Sequence, residues 1–243
     1  MLRRVLLALL LSPLIACAQS EAPTAPAVDT AAATEVASTT PAPAPAPFTG
    51  EPPRLGIDYE ILESPQPTWG RGKIEVAEVF GYTCIHCAHL QPELDQWHQR
   101  LPTDVRFEYV PAAFGGAWDA FARAYYAAEL LGVREKTHNQ VFDAIHVKRS
   151  ITGTSNEEVA DLYQGLGVDR AKFLAAMDSF GVNAKLAKAR QFAQRTGITA
   201  TPTVIVNGKY RVSSTRDRGF PGMLSTIDYL VSLERAGQPA GAP

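Results

Sequence analysis

The 243-residue sequence predicts an α/β fold in which a block of helices interrupts a set of strands. Three observations carry that prediction. The apolar run KIEVAEVF has strand character and gives way, through a short turn, to a helical pattern. The dipeptide Asn207-Gly208 lies between two short apolar runs, a strong hairpin signal. Between these, after the second strand, the pattern becomes helical, with apolar residues recurring at helical spacing.

Taken in order, the first strand spans about Lys73 to Phe80, and counting in twos puts Ile74, Val76, Glu78 and Phe80 on one face. Gly81 supplies a turn and Thr83 a candidate N-cap for the helix that follows, AHLQPELDQWHQRL. A second strand covers Val105 to Val110. Trp118, Phe121, Tyr125 and Ala128 then repeat at helical spacing and read as core. Arg134 to Val147 makes another helix. Ser155 with Glu158 forms a capping box for the next, and Asp169 caps Ala171 to Phe180. Ala184 to Thr196 is helical and stops at Gly197, a good C′ residue. The hairpin strands Thr203 to Val206 and Tyr210 to Val212 follow, and a helix over Pro221 to Arg235 closes the domain. The stretch from about 48 to 236 is long enough for one domain with a real core.

The N-terminal segment has a different character. Arg3 and Arg4 precede an apolar stretch, Val5 to Ala16, too short to span a bilayer, so residues 1–17 read as an export signal. Leu14-Ile15-Ala16-Cys17 resembles the lipobox of bacterial lipoproteins, which makes Cys17 the expected site of lipidation. Cleavage after Ala18 is the competing route. Residues 18–47 are nearly all Ala, Pro, Thr, Ser and Val and have almost nothing to bury, so we expect a disordered tether. Lipidation gives that tether a purpose, and Ala18 resembles the outer-membrane sorting pattern. Without Arg3 and Arg4 the chain keeps 21 basic against 25 acidic residues, a formal charge near −4. No basic run exceeds Lys148-Arg149, and nothing points to nucleic acid.

Cys84 and Cys87 form C-I-H-C where strand turns into helix. A thiol there meets the free N–H groups and the positive end of the helix dipole, which favour its thiolate. A protonated His86 would favour it further. Zinc is the alternative for any C-x-x-C, but a structural site wants four ligands and the chain holds three cysteines, one of them Cys17. His89 is a possible third ligand with no fourth in view. We therefore expect a redox-active dithiol and no metal. Glu78, in the middle of a buried strand face and six residues before Cys84, is expected to be buried with a raised pKa.

FGYTCIHCAHL, the helical block and TPTVIVNGKY together resemble the DsbA family of periplasmic thiol:disulfide oxidoreductases. The resemblance covers essentially residues 55 to 235. It implies a thioredoxin fold, 48–110 with 183–237, interrupted by a helical insertion over 111–182. It implies that Cys84 exchanges with client thiols, that Cys87 closes or resolves the disulfide, and that Glu78 relays a proton to or from Cys87. Thr201-Pro202 resembles the family's cis-proline loop, whose backbone pairs with an extended client peptide. Ile85 replaces the namesake's proline and Thr201 its valine, which bears on partner choice and redox poise. Client contacts should be apolar and backbone-led, with Ile85 and His89 fixed near the site and Phe114 and Trp118 as further candidates that core packing could claim.

The implied activity is donation of the Cys84–Cys87 disulfide to exported, cysteine-containing polypeptides by a monomer lacking any other cofactor. Reoxidation would fall to a DsbB-type quinone-linked membrane oxidase. The scale is set by the namesake's potential, roughly 150 mV above thioredoxin's, or about 7 kcal/mol. A reductase or isomerase is the rival within the class, and a non-catalytic chaperone or metal handler the rival outside it.

Overall fold

A computed structural model of the protein describes residues 48–151 and 155–238. The expected export signal, Cys17 and the 18–47 tether lie outside the described residues. The sheet has five strands: β1 (Tyr59–Ile61), β2 (Ile74–Phe80), β3 (Val105–Pro111), β4 (Thr203–Val206) and β5 (Tyr210–Val212). Their spatial order is β1-β5-β4-β2-β3, with β2 and β3 parallel and the other neighbours antiparallel. β2 is an interior strand between β4 and β3 and is almost wholly buried, as its run of Val, Ala and Phe requires. Asn207 and Gly208 both take positive φ (49° and 66°) at the β4–β5 turn, which matches the strand twist. A Cβ on Gly208 would also lie 2.0 Å from the Gln66 carbonyl oxygen.

Seven α-helices are described: α1 (Ile85–His98), α2 (Ala117–Leu130), α3 (Arg134–Phe142), α4 (Asn156–Gly165), α5 (Arg170–Met177), α6 (Phe180–Arg195) and α7 (Gly219–Ala236). On one face of the sheet, Leu90, Leu94 and Trp97 of α1 meet Ile227, Leu230 and Val231 of α7 over Val76, Val204 and Val206. Trp97 fastens the two helices by donating to Asp228 at 2.8 Å. On the other face, Ala189, Phe192 and Ala193 of α6 cover Ala77, Val79 and Ile205. The same apolar cluster runs on into α2–α5 through Phe121, Tyr125, Tyr163 and Phe173, so the helical block is continuous with the core of the sheet.

Several local expectations change. The helix expected over Arg134 to Val147 breaks at Phe142 into a π-helical turn, Asp143–Val147. Ser155 and Glu158 form the expected capping box, and Asp169 caps α5 at Lys172. α6 begins at Phe180, capped by Ser179, four residues before the start read from its apolar spacing. β1 has no sequence signal: it is three residues long, with only Tyr59 buried.

Candidate redox site

Cys84 closes the turn between β2 and α1. Its N–H donates to the Gly81 carbonyl at 3.0 Å, and its extended φ/ψ (−86°, 112°) make it the N-cap of α1. This corrects the sequence reading. The cap is the cysteine itself, whose Sγ accepts the Cys87 N–H at 3.2 Å, while Thr83 Oγ1 is buried with no hydrogen-bond partner. The thiol thus takes the position that an Asp or Ser oxygen ordinarily holds. Gly81 is required here for space, since a Cβ would lie 2.1 Å from the Trp118 ring.

Both cysteines are free thiols, with very different surroundings. Cys84 is 9% exposed and Cys87 1%. A hydrogen bond from the Cys87 thiol, helped by the Thr201 side chain and the backbone N–H groups of Cys87 and His86, pulls the Cys84 thiol down to about 5 against the cost of its burial. Cys87 is pushed far up by burial, by its bond to Cys84 and by the Glu78 charge. Glu78 is 1% exposed, and burial, then the Cys84 and Asp95 charges, raise its carboxyl to about 8. Its Oε2 has no hydrogen-bond partner. The dithiol therefore joins an acidic outer thiol, an inner thiol that keeps its proton, and a carboxyl that is mostly protonated at neutral pH.

The far side of the site comes from the β4 end. The Thr201–Pro202 peptide is cis, and the Thr201 carbonyl lies 3.3 Å from Cys84 Sγ. Ile85 is 42% exposed next to the cap, and His86 and His89 are exposed on the same first turns. The contribution of His86 to the acidic thiol comes from its backbone N–H. Phe114 is 44% exposed and its ring lies 5.3 Å from that of half-buried Trp118, which covers Gly81. Trp118 therefore belongs to the wall of the redox loop as well as to the core of α2. Among the described residues no group of three or more His, Cys, Asp or Glu is placed to hold a metal ion.

Sequence reading missed a buried polar chain behind the dithiol: Tyr82, His138, Gln91 and Tyr109 are joined by hydrogen bonds of 2.8, 3.3 and 2.7 Å. The available signal was slight, a tyrosine two residues before Cys84 and a histidine one helical turn before Val141 and Phe142.

A family model, DSBA-like thioredoxin domain, matches residues 75–220, more than half the chain. The chain belongs to the DsbA-like family. Its DsbA relatives include the thiol:disulfide interchange protein DsbA of Pseudomonas aeruginosa, 41% identical over 181 residues, which are 74% of this chain and 85% of the relative. That of Azotobacter vinelandii is 38% identical over 185 residues, 76% of this chain and 86% of the relative. The crystal structure of oxidoreductase DsbA from Xylella fastidiosa superposes with a TM-score of 0.72 at 43% identity, covering 76% of this chain and all of that one. This DsbA-like protein is thus a thiol:disulfide oxidoreductase, with a thioredoxin fold that carries inserted helices. Enzymes of the DsbA family work through a redox-active disulfide.

Proposed function

We propose that Cys84 and Cys87 are the reacting pair and that the protein donates their disulfide to exported polypeptides. In the oxidised protein a client thiolate attacks Cys84 Sγ, forms a mixed disulfide and expels the Cys87 sulfur. A second client thiolate then attacks the client sulfur of that mixed disulfide and expels Cys84. The client gains one disulfide and gives up two electrons, and the enzyme becomes a dithiol. Cys84 is the good leaving group because its thiolate is stabilised at the cap. The expelled Cys87 thiolate is poorly tolerated where it lies and takes a proton, for which the protonated Glu78 carboxyl is the nearby source. His86 adds positive charge when protonated, on top of its backbone N–H.

The observation that carries this reading is the contrasting placement of two thiols three residues apart, one capping a helix and accepting its N–H, the other fully buried below it. Thr201, Pro202 and Ile85 surround the acidic thiol and form the client-binding edge, where main-chain groups pair with an extended peptide. The measurement that tests it is the equilibrium of the pair with glutathione. A potential well above thioredoxin's, together with a Cys84 thiol that titrates in the acid range, is the expected result. A potential close to thioredoxin's would turn the assignment to a reductase or isomerase.

We place the enzyme in the periplasm, as for DsbA proteins, and propose that it acts as a monomer lipidated at Cys17, held at the outer membrane, and reoxidised by a DsbB-type quinone-linked partner. The 18–47 segment is then a tether. The apolar signal ending in Leu-Ile-Ala-Cys supports that arrangement, and the mass of the mature N-terminus tests it: an unmodified chain starting at Gln19 rules it out. No helix among the described residues is long and apolar enough to cross a membrane. We also assign 48–110 and 183–237 to the thioredoxin-fold domain and 111–182 to the insertion, a division whose second seam falls within α6.

A further inference from the structure

The buried chain behind the dithiol has a direction that can be read bond by bond. The Tyr82 carbonyl can only accept, so His146 Nε2, 2.7 Å away, carries a proton. The two N–H groups of the Gln91 amide are engaged by Asp95 Oδ1 at 2.8 Å and by the Tyr109 hydroxyl at 2.7 Å. Gln91 Oε1 therefore accepts from His138 Nε2–H at 3.3 Å. That leaves His138 Nδ1 as the acceptor of the Tyr82 hydroxyl at 2.8 Å. Burial of His138 keeps it neutral, as this tautomer requires, and holds its pKa down at about 3. The ring is wedged among Phe80, Tyr82, Tyr109 and Phe142, with centroids 4.6–5.3 Å away.

Tyr82, 1% exposed, is consequently held at both ends by histidines of the helical block: its hydroxyl by His138 of α3, its carbonyl by His146 of the π-helical turn. We propose that His138 and His146 are positioning residues for the redox reaction, through which the helical insertion fixes the backbone that presents Cys84. Tyr82 lies within the Gly81–Cys84 turn, so its place sets where Cys84 Sγ sits relative to the Cys87 N–H that it accepts. Hydrogen bonds to sulfur weaken steeply as geometry degrades, so a loosened turn gives a less stabilised thiolate and a less oxidising disulfide. The hydrogen bonds of the two histidines go to Tyr82 and Gln91, and both histidines act through Tyr82.

This inference rests on the assignment of Cys84 as the acidic thiol, and the test separates the two. In the reduced full-length protein, thiolate ultraviolet absorbance is followed against pH, and the equilibrium with glutathione is measured alongside. His146→Leu removes the carbonyl's donor and His146→Gln keeps an N–H. Tyr82→Phe removes only the hydroxyl that bonds His138 while leaving the ring packed. In His146→Leu and Tyr82→Phe the Cys84 titration is expected to rise by about one pH unit, with the glutathione equilibrium moving about tenfold toward the disulfide. His146→Gln should stay near the wild type. Unchanged titration and equilibrium in Tyr82→Phe, whatever the melting temperature, would overturn the proposal. So would a His146→Gln variant as perturbed as the Leu one. Should His146→Leu fail to fold, the other two variants decide the matter. A wild-type Cys84 without an acid-shifted titration would defeat the site assignment itself and this inference with it.

Discussion

Burial acts on two neighbouring acids at the site with opposite results, because their compensation differs. Cys84 loses water but gains the Cys87 thiol, the Thr201 side chain and two backbone N–H groups, so its thiol falls to about 5. Glu78 loses water and gains no partner at Oε2, so its carboxyl rises to about 8. The consequence for stability follows by linkage. Between its unfolded value of 4.5 and about 8 the folded state binds the extra proton, so stability falls as pH rises through that window. At 1.36 kcal/mol per pKa unit the penalty is about 3 kcal/mol at pH 7 and under about 1 kcal/mol at pH 5. Glu78→Gln should therefore stabilise the reduced protein more at pH 8 than at pH 5, as read by urea midpoints at the two pH values. An equal gain at both would show that the carboxyl does not titrate in this range. For the sulfurs, Cys84→Ser should abolish disulfide transfer while client binding survives. Given a disulfide-bonded client, the Cys87→Ser enzyme should attack it through Cys84, releasing a client thiolate, and accumulate the mixed disulfide that Cys87 would otherwise resolve, visible by mass on non-reducing separation. A Cys87→Ser enzyme that turned over normally would show that the Cys84–Cys87 disulfide is not what is transferred. Of these groups, the cysteines and Glu78 were legible in the sequence from spacing and strand parity. The cap was not. Thr83 is the better capping residue by propensity, but the tight turn through Gly81 delivers Cys84 to the cap position instead.

At the level of elements, the contacts that matter link segments distant in sequence. Trp118 of α2 lies against Gly81, so Gly81→Ala places a methyl group 2.1 Å from the indole. The expected cost is about 1–3 kcal/mol of overpacking, with the loop displaced and transfer slowed. A chemical melt that matches the wild type would show that the ring moves aside freely. At the start of the described chain, Asp58 is 3% exposed and is paired with Arg54 and Arg218, the residue that precedes α7. The Arg54 hydrogen bond, then the Arg218 charge, hold its carboxyl well below the ordinary 3.8. A depressed carboxyl contributes stability above its unfolded pKa and loses it as pH falls. Asp58→Asn should thus cost about 2 kcal/mol at pH 7, and the deficit should shrink as pH drops below about 4. A deficit that stayed constant to pH 3 would assign the effect to packing rather than charge. Helix starts with Ser or Asp caps were readable because the cap is a local side-chain bond. The π-helical turn and the edge strand β1 were not. The π-helical turn presents His146 to the Tyr82 carbonyl, and β1 depends on pairing with β5, 150 residues further along the chain.

For the whole molecule, two apolar clusters divide the work. One joins α1 and α7 to a face of the sheet, and the other runs from the opposite face into α2–α5. Because the second is continuous, the insertion is not an appended module, and the redox loop sits between it and the sheet. On the proposed arrangement, the folded part carries the chemistry and the N-terminal segment only tethers it. A protein lacking residues 1–47 should keep the full-length glutathione equilibrium and transfer rate, with loss limited to membrane association. A changed potential would mean that the segment acts on the site. The residue order alone was enough for the α/β class, the dithiol, the buried carboxyl and the hairpin. Each rests on neighbours within a few positions, where alternation, spacing and turn chemistry are local physics. It could not yield the Trp118 wall, the Asp58 ion cluster or the histidine pair that holds Tyr82. Those are set by side chains some 40 to 160 positions apart whose meeting depends on how the core closes, and no periodicity encodes such a meeting.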